Sequence, residues 1–169
     1  MKGYTMDFDV RRLYRKKIFV DANAFIYFFT GECNDNTKEI FKLAETGWLN
    51  LVTTTRILDE VLFKVMVISA KVKFGIENKA TQRLRKDKKK VKLLAEDVKK
   101  VLQFIEILKL DIKEVNYSVL KKFPTIMETY GLFGNDALVL ETMQRFNLKY
   151  LLSSDTDFDG ISWIERIEP

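Results

Sequence analysis

The sequence predicts an α/β fold in which a parallel sheet lies between layers of helices. Three observations carry this. Short apolar runs, each ending at a polar or acidic residue, recur along the chain. Longer segments whose apolar residues keep a 3.6-residue spacing separate them, and such alternation favours parallel strands joined by helical crossovers. The 169 residues and 47% hydrophobic content suit one domain, 1–169, with a real core.

The elements follow in order. Residues 1–16 are polar and basic and read as a loosely held arm. Lys17-Ile18-Phe19-Val20 reads as a short buried strand ending at Asp21. A short helix is expected over 22–29 and a loop over 30–36. Asn36 or Thr37 is the expected cap of a helix carrying Ile40, Phe41, Leu43 and Ala44, closed by Gly47. A second strand is expected over 49–53. A long helix should follow from about Thr55, with Ile57, Leu58, Val61, Leu62, Val65 and Met66 on its apolar side.

Residues 75–90 are dominated by charge. From Val91 the positions Leu94, Val98, Val101, Ile105 and Leu108 alternate spacings of three and four, the narrow apolar stripe of an amphipathic helix. Further strands are expected over 110–115, 149–152 and 162–167. A helix over 117–130 should be interrupted at Pro124, and another should open at Asp136 after the loop Gly131-Leu132-Phe133-Gly134-Asn135.

Composition narrows the chemistry sharply. The chain has no histidine and one cysteine, Cys33. That removes Ser-His-Asp and Cys-His nucleophilic schemes and histidine- or thiolate-bound zinc. Catalysis would have to come from carboxylates, lysines, hydroxyls or a hard metal ion. A single cysteine fits a reducing cytoplasm. No apolar run is long enough to span a membrane, and the N-terminus, with Asp7 and Asp9, does not read as a signal peptide.

Charge is unevenly placed. Residues 71–100 hold twelve Lys/Arg against four Asp/Glu, so they carry +8 of a net +5 and leave the rest at −3. A basic helical elaboration thus sits on a slightly acidic body. Arg83, Arg85, Lys86, Lys88, Lys89 and Lys90 are the candidate contacts to a polyanion, the alternative being a solvated lysine-rich helix.

Four acids fall at special places. Asp21 and Asp155 each follow a short apolar strand, Asp136 heads a helix, and Glu60 lies near the start of the helix after the second strand. In open parallel sheets, ligands bind outside the carboxyl ends of the strands. Each acid alone has a plainer reading. Asp21 could cap a helix, Glu60 could pair with Lys64, Asp136 could complement a helix dipole, and Asp155 could form a turn. Clustered, they would repel one another unless a cation neutralised them. Mg²⁺ and Mn²⁺ take hard oxygen ligands, lower the pKa of bound water and stabilise the attacking and leaving oxygens of a phosphodiester, all without histidine.

Two rival motifs fail on specific residues. Asp155-Thr156-Asp157-Phe158-Asp159-Gly160 is similar to the first half of an EF-hand loop, but Arg166 stands where its bidentate glutamate is needed. Asp21-Ala22-Asn23 is similar to the nucleophile motif of haloacid-dehalogenase phosphatases, but Asn23 replaces that motif's second aspartate.

Taken together, the motifs resemble a PIN domain. Ile18-Phe19-Val20-Asp21-Ala22-Asn23 resembles its opening strand and Asp-x-Asn; Ile57-Leu58-Asp59-Glu60-Val61 its helix-borne glutamate. Asn135-Asp136-Ala137-Leu138 resembles its third acid, and Leu152-Ser153-Ser154-Asp155-Thr156-Asp157-Phe158 its last motif. The resemblance implies a Rossmann-like three-layer sandwich with a mostly parallel sheet of four or five strands. It implies Mg²⁺- or Mn²⁺-dependent cleavage of RNA, with Asp21, Glu60, Asp136 and Asp155 as ligands and Asp157 as a further candidate. Asn23 and Ser153 or Ser154 would orient ligands or substrate. The family includes toxins paired with antitoxin proteins and factors of RNA processing or ribosome maturation, and many members form homodimers. Residues 75–100 exceed minimal toxin members in length and basicity, as an RNA-binding clamp or as extended helices. The alternative function is an RNA-binding or scaffold protein that keeps the fold with little catalysis.

Overall fold

The structure, a computed structural model, describes residues 9–169. Five parallel strands form one sheet: β1 (Lys17–Val20), β2 (Asn50–Thr54), β3 (Asp111–Lys113), β4 (Tyr150–Leu152) and β5 (Glu165–Ile167), in the order β3-β2-β1-β4-β5. Eight α-helices accompany them among the described residues: α1 (Ala22–Thr30), α2 (Asp35–Glu45), α3 (Thr55–Phe74), α4 (Ala80–Lys86), α5 (Lys88–Ile107), α6 (Tyr117–Leu120), α7 (Phe123–Tyr130) and α8 (Asn135–Arg145). This is the expected three-layer α/β architecture.

β1 lies at the centre because both its faces are apolar. Ile18, Phe19 and Val20 have no accessible surface. The chain builds outward from β1 through β2 to β3, then crosses back to add β4 on the other side of β1. Val20 is in register with Leu152 across the β1–β4 pair. The residues that follow, Asp21 and Ser153, therefore emerge side by side at the point where the winding reverses, where such sheets leave a crevice.

The structure revises several boundaries. The cap of α2 is Asn34, whose side chain accepts the Thr37 amide at 2.9 Å, not Asn36 or Thr37. Pro124 breaks the 117–130 helix as expected, because it lacks an amide proton; it is tolerated in the first turn of α7. The strands over 110–115 and 162–167 shrink to three residues each. Of the N-terminal arm, residues 1–8 lie outside the described residues. The remainder is not loose: Val10–Leu13 form a 3-10 turn, Leu13 is fully buried, and Arg12 pairs with Glu165 of β5 at 2.5 Å.

Helix α4 is the element that charge concealed. Ile76, Ala80 and Leu84, spaced by four, were the signal, and they pack with Ala70 of α3 and Leu94 of α5 in a small core separate from the main one. Asp87 ends α4 and caps α5, accepting the Lys90 amide at 3.2 Å. The main core joins α5 to α1 and α2 through Phe104, whose ring stacks on Phe28 at 4.8 Å and meets Phe29 and Phe41 at 5.3 and 5.9 Å. Because half-buried aromatic packing is lost with the ring, Phe104→Ala should destabilise the fold by about 2–3 kcal/mol. Urea unfolding checks this; an unchanged midpoint would show that α5 does not depend on the cluster.

Candidate active site

Asp21 follows β1 and caps α1. Its Oδ1 accepts the Ala22 amide at 2.7 Å; its Oδ2 accepts Ser153 Oγ at 2.7 Å and Asn23 Nδ2 at 3.0 Å. Asn23 reaches across the β1–β4 seam, donating to Ser153 Oγ at 3.2 Å and accepting the Ser154 amide at 3.0 Å. Ser153 Oγ also accepts the Asp155 amide at 3.1 Å. The two segments that follow β1 and β4 are thus stitched together by side chains, and the stitching fixes where Asp155 begins. Asp155 caps the 3-10 turn Thr156–Gly160, accepting the Asp157 amide at 2.9 Å. The plain capping roles of Asp21 and Asp155 are real, and they coexist with a place in the site.

The other acids come from different elements. Glu60 lies on α3 and accepts Asn135 Nδ2 at 2.5 Å. No ion pair links Glu60 to Lys64 among the described residues. Asp136 sits in the first turn of α8, where the helix dipole favours an anion. Gly134 precedes this helix with φ 63°, ψ −128°, a conformation that penalises any side chain, and it swings Asn135 and Asp136 into the crevice.

Asp21, Asn23, Glu60, Lys64, Asp136 and Asp155 together line a cavity of about 340 Å³. Carboxylate oxygens of Asp136, Asp155 and Asp157 lie within 4.8 Å of one another. Asp21 and Glu60 stand on the cavity wall outside that triple, each with an oxygen already engaged by a donor. The electrostatics match the crowding. Burial, then repulsion from Asp155, Asp21, Asp157 and Glu60, pushes the Asp136 carboxyl up to about 6. Burial foremost also raises Asp21, against the Ser153 and Ala22 hydrogen bonds that lower it. An all-oxygen donor set under mutual repulsion suits a hard divalent ion such as Mg²⁺ or Mn²⁺.

Three residues of the site carried no role in the sequence reading. Asn135 appeared only as the neighbour of Asp136, yet it positions Glu60 and also accepts Arg56 Nε at 3.2 Å. Lys64 appeared only as a partner for Glu60, yet it is a cation lining an acidic cavity. Arg166 counted only against calcium binding. It grips both oxygens of Asp159 at 2.6 and 3.1 Å, donates to the Ser153 carbonyl at 2.9 Å and pairs with Glu168. It thereby clamps both ends of the loop that bears Asp155 and Asp157.

The basic candidates lie elsewhere, none on the lining of the acidic cavity. Arg83, Arg85 and Lys86 end α4; Lys88, Lys89 and Lys90 begin α5. Lys90 is partly committed, to Asp87 at 3.4 Å and over the Phe74 ring at 5.7 Å. The other five are exposed. Three lysines at a helix N-terminus oppose its dipole, an arrangement that an anionic partner would relieve.

The geometry agrees with comparisons to known proteins. A family model for the PIN domain matches residues 18–164. Ribonuclease VapC6 of Methanocaldococcus jannaschii is 28% identical over 152 residues, covering 89% of this chain and 96% of its own. Ribonuclease VapC2 of the same organism is 27% identical over 161 residues, covering 93% and 97%. Among solved structures, a toxin–antitoxin complex from Klebsiella pneumoniae superposes with TM-score 0.53 at 19% identity, covering 88% of this chain and 95% of that one. VapBC2 from Rickettsia felis, bound to a DNA fragment from its promoter, superposes with TM-score 0.55 at 15% identity, covering 89% and 97%.

Two outcomes follow from the geometry. Asp136 titrates at about 6 in the fold against 3.8 for a free carboxyl, so its ionised form is disfavoured by folding. The resulting penalty is full above about pH 6, falls through the window between the two values and vanishes below about pH 4. Metal-free Asp136→Asn should therefore melt above the parent at about pH 7.5, with the gap closing by about pH 4.5. Scanning calorimetry reads this, and a gap independent of pH would contradict it. Arg166→Lys, which cannot reproduce the guanidinium fork, should weaken Mn²⁺ binding by calorimetric titration about tenfold. Undiminished affinity would show that the clamp does not position the loop.

Proposed function

Because the chain belongs to the PIN-domain family, we propose that it is a divalent-metal-dependent endoribonuclease of the toxin type, hydrolysing RNA phosphodiester bonds in the cavity of Asp21, Glu60, Asp136 and Asp155. The observation that carries this reading is convergence. Acids contributed by the residue after β1, by α3, by α8 and by the loop after β4 meet in one cavity, where burial first and then their mutual repulsion raise Asp136 to about 6. The two curated relatives, both named ribonucleases and matched over nearly their whole length, support it.

Asp136, Asp155 and Asp157 would hold Mg²⁺ or Mn²⁺ most directly, with Asp21 and Glu60 completing the site. The bound ion would supply charge neutralisation, a more acidic water and stabilisation of the departing oxygen. The protein's own groups do the positioning. Ser153 and Asn23 fix the Asp21 carboxylate, Asn135 fixes Glu60, and the Ser154 amide anchors Asn23. Arg83, Arg85, Lys86, Lys88, Lys89 and, less fully, Lys90 would hold the RNA backbone without reading its sequence. Residues 1–169 would act as one domain, with α4 and α5 as its basic elaboration. A cytoplasmic setting suits the lone buried cysteine, and an antitoxin protein that restrains the activity would be the partner. The full acid set disfavours the scaffold reading.

Purified protein with Mn²⁺ and labelled RNA tests the assignment. Cleavage by the parent should fall by about a hundredfold or more in Asp21→Asn and Asp136→Asn. Cleavage of equal rate in parent and variants would refute the site.

A further inference from the structure

The acidic cavity does not close at Glu60. Glu60, Lys64 and Asn135 also line an adjoining hollow of about 600 Å³, which runs along α3 past Phe63 and Met66 to Val98 of α5. Phe63 and Met66 open in turn onto an apolar recess of about 150 Å³ whose rim carries Arg85 of α4. Three hollows thus share walls, leading from the acids to the basic segment. Arg56, Glu60, Phe63 and Lys64 fall at helical spacings of four, three and one, which gathers them toward one side of α3.

A nucleic-acid strand approaching these acids meets repulsion on every phosphate, so its path needs uncommitted cations beside them. Arg56 is largely spent on Asp59 at 2.6 Å and Asn135 at 3.2 Å. Lys64 is exposed at the junction of the two hollows and has no ion pair among the described residues. Beside it, Phe63 is 45% exposed, a large ring facing solvent within a groove.

We propose that this groove is the track of single-stranded RNA, with Lys64 contacting a phosphate next to the cleaved one and Phe63 stacking a base beyond it. The proposal rests on the ribonuclease reading and names the residues that would hold the strand beside the site, Lys64 and Phe63. Stacking on Phe63 requires an unpaired base; in an A-form duplex the base faces are already covered. Charge favours RNA over an apolar protein segment as occupant, since the groove runs from a cation at the acids to the +8 segment.

Fluorescence anisotropy on the non-cleaving Asp136→Asn chain tests this, using a labelled single-stranded oligoribonucleotide and its duplex. Adding Phe63→Ala should weaken single-strand binding about tenfold and leave the duplex unaffected, while Phe63→Tyr should restore binding. Adding Lys64→Gln should weaken it and reduce the salt slope by about 0.7. Trp48→Ala, an exposed ring that lines none of these hollows, should change nothing. Unchanged single-strand affinity in both groove variants, with the parent still cleaving RNA, would overturn the track alone. A parent that cleaves no RNA would instead overturn the ribonuclease reading beneath it.

Discussion

Everything in the site depends on the seam between β1 and β4. The two strands are distant in sequence and adjacent in space, and the bond from Ser153 Oγ to Asp21 Oδ2 at 2.7 Å closes the gap just beyond their ends. That bond sets the Asp21 carboxylate, and through the same hydroxyl it also receives the Asp155 amide. One side chain therefore orients an acid just past the first strand and starts the loop that carries two more. Asn23 and Arg166 reinforce the arrangement from opposite sides, one across the seam and one from β5.

The acids are held against their own repulsion, and the fold sustains this with fixed donors. Asp21 is almost wholly buried as an ionisable group, which is costly without partners. Hydrogen bonds from Ala22, Ser153 and Asn23 offset part of that cost, and Asn135 does the same for Glu60. What remains is an excess of negative charge in the cavity and an excess of positive charge on α4 and α5. Within one chain the two are separated along α3 instead of being paired off. Such a dipolar layout suits a molecule that must attract a cation at one end and a polyanion at the other.

The sheet was legible in the sequence because buried parallel strands are plain apolar runs, and Lys17–Val20 matched to the residue. The acids were legible because each stands at a strand end or helix head. The wall residues were not. Asn135 and Lys64 acquire meaning only through partners 75 residues or one groove away, which no local pattern encodes. Arg166 was weighed as a misfit in a calcium loop when its role is to brace a different one. Helix α4 was hidden because one weak apolar stripe of Ile76, Ala80 and Leu84 is outnumbered by charges, and α3 and α5, not intrinsic preference, provide its footing. The cap of α2 moved to Asn34 because its side chain also donates to the Glu168 carbonyl at 2.7 Å, a tie from the far end of the chain.

The central place of β1 has a temporal consequence. Synthesis delivers Asp21 and Glu60 early, but their counterparts Asp136 and Asp155 arrive only after β3 has been laid on the opposite flank of the sheet. A ribosome-bound fragment lacking β4 thus has three of the five strands and lacks Asp155, so the acid set of the cavity is incomplete. The hydrolytic capacity of this chain is in that sense born last, once β4 has joined β1 and brought the late acids to the early ones.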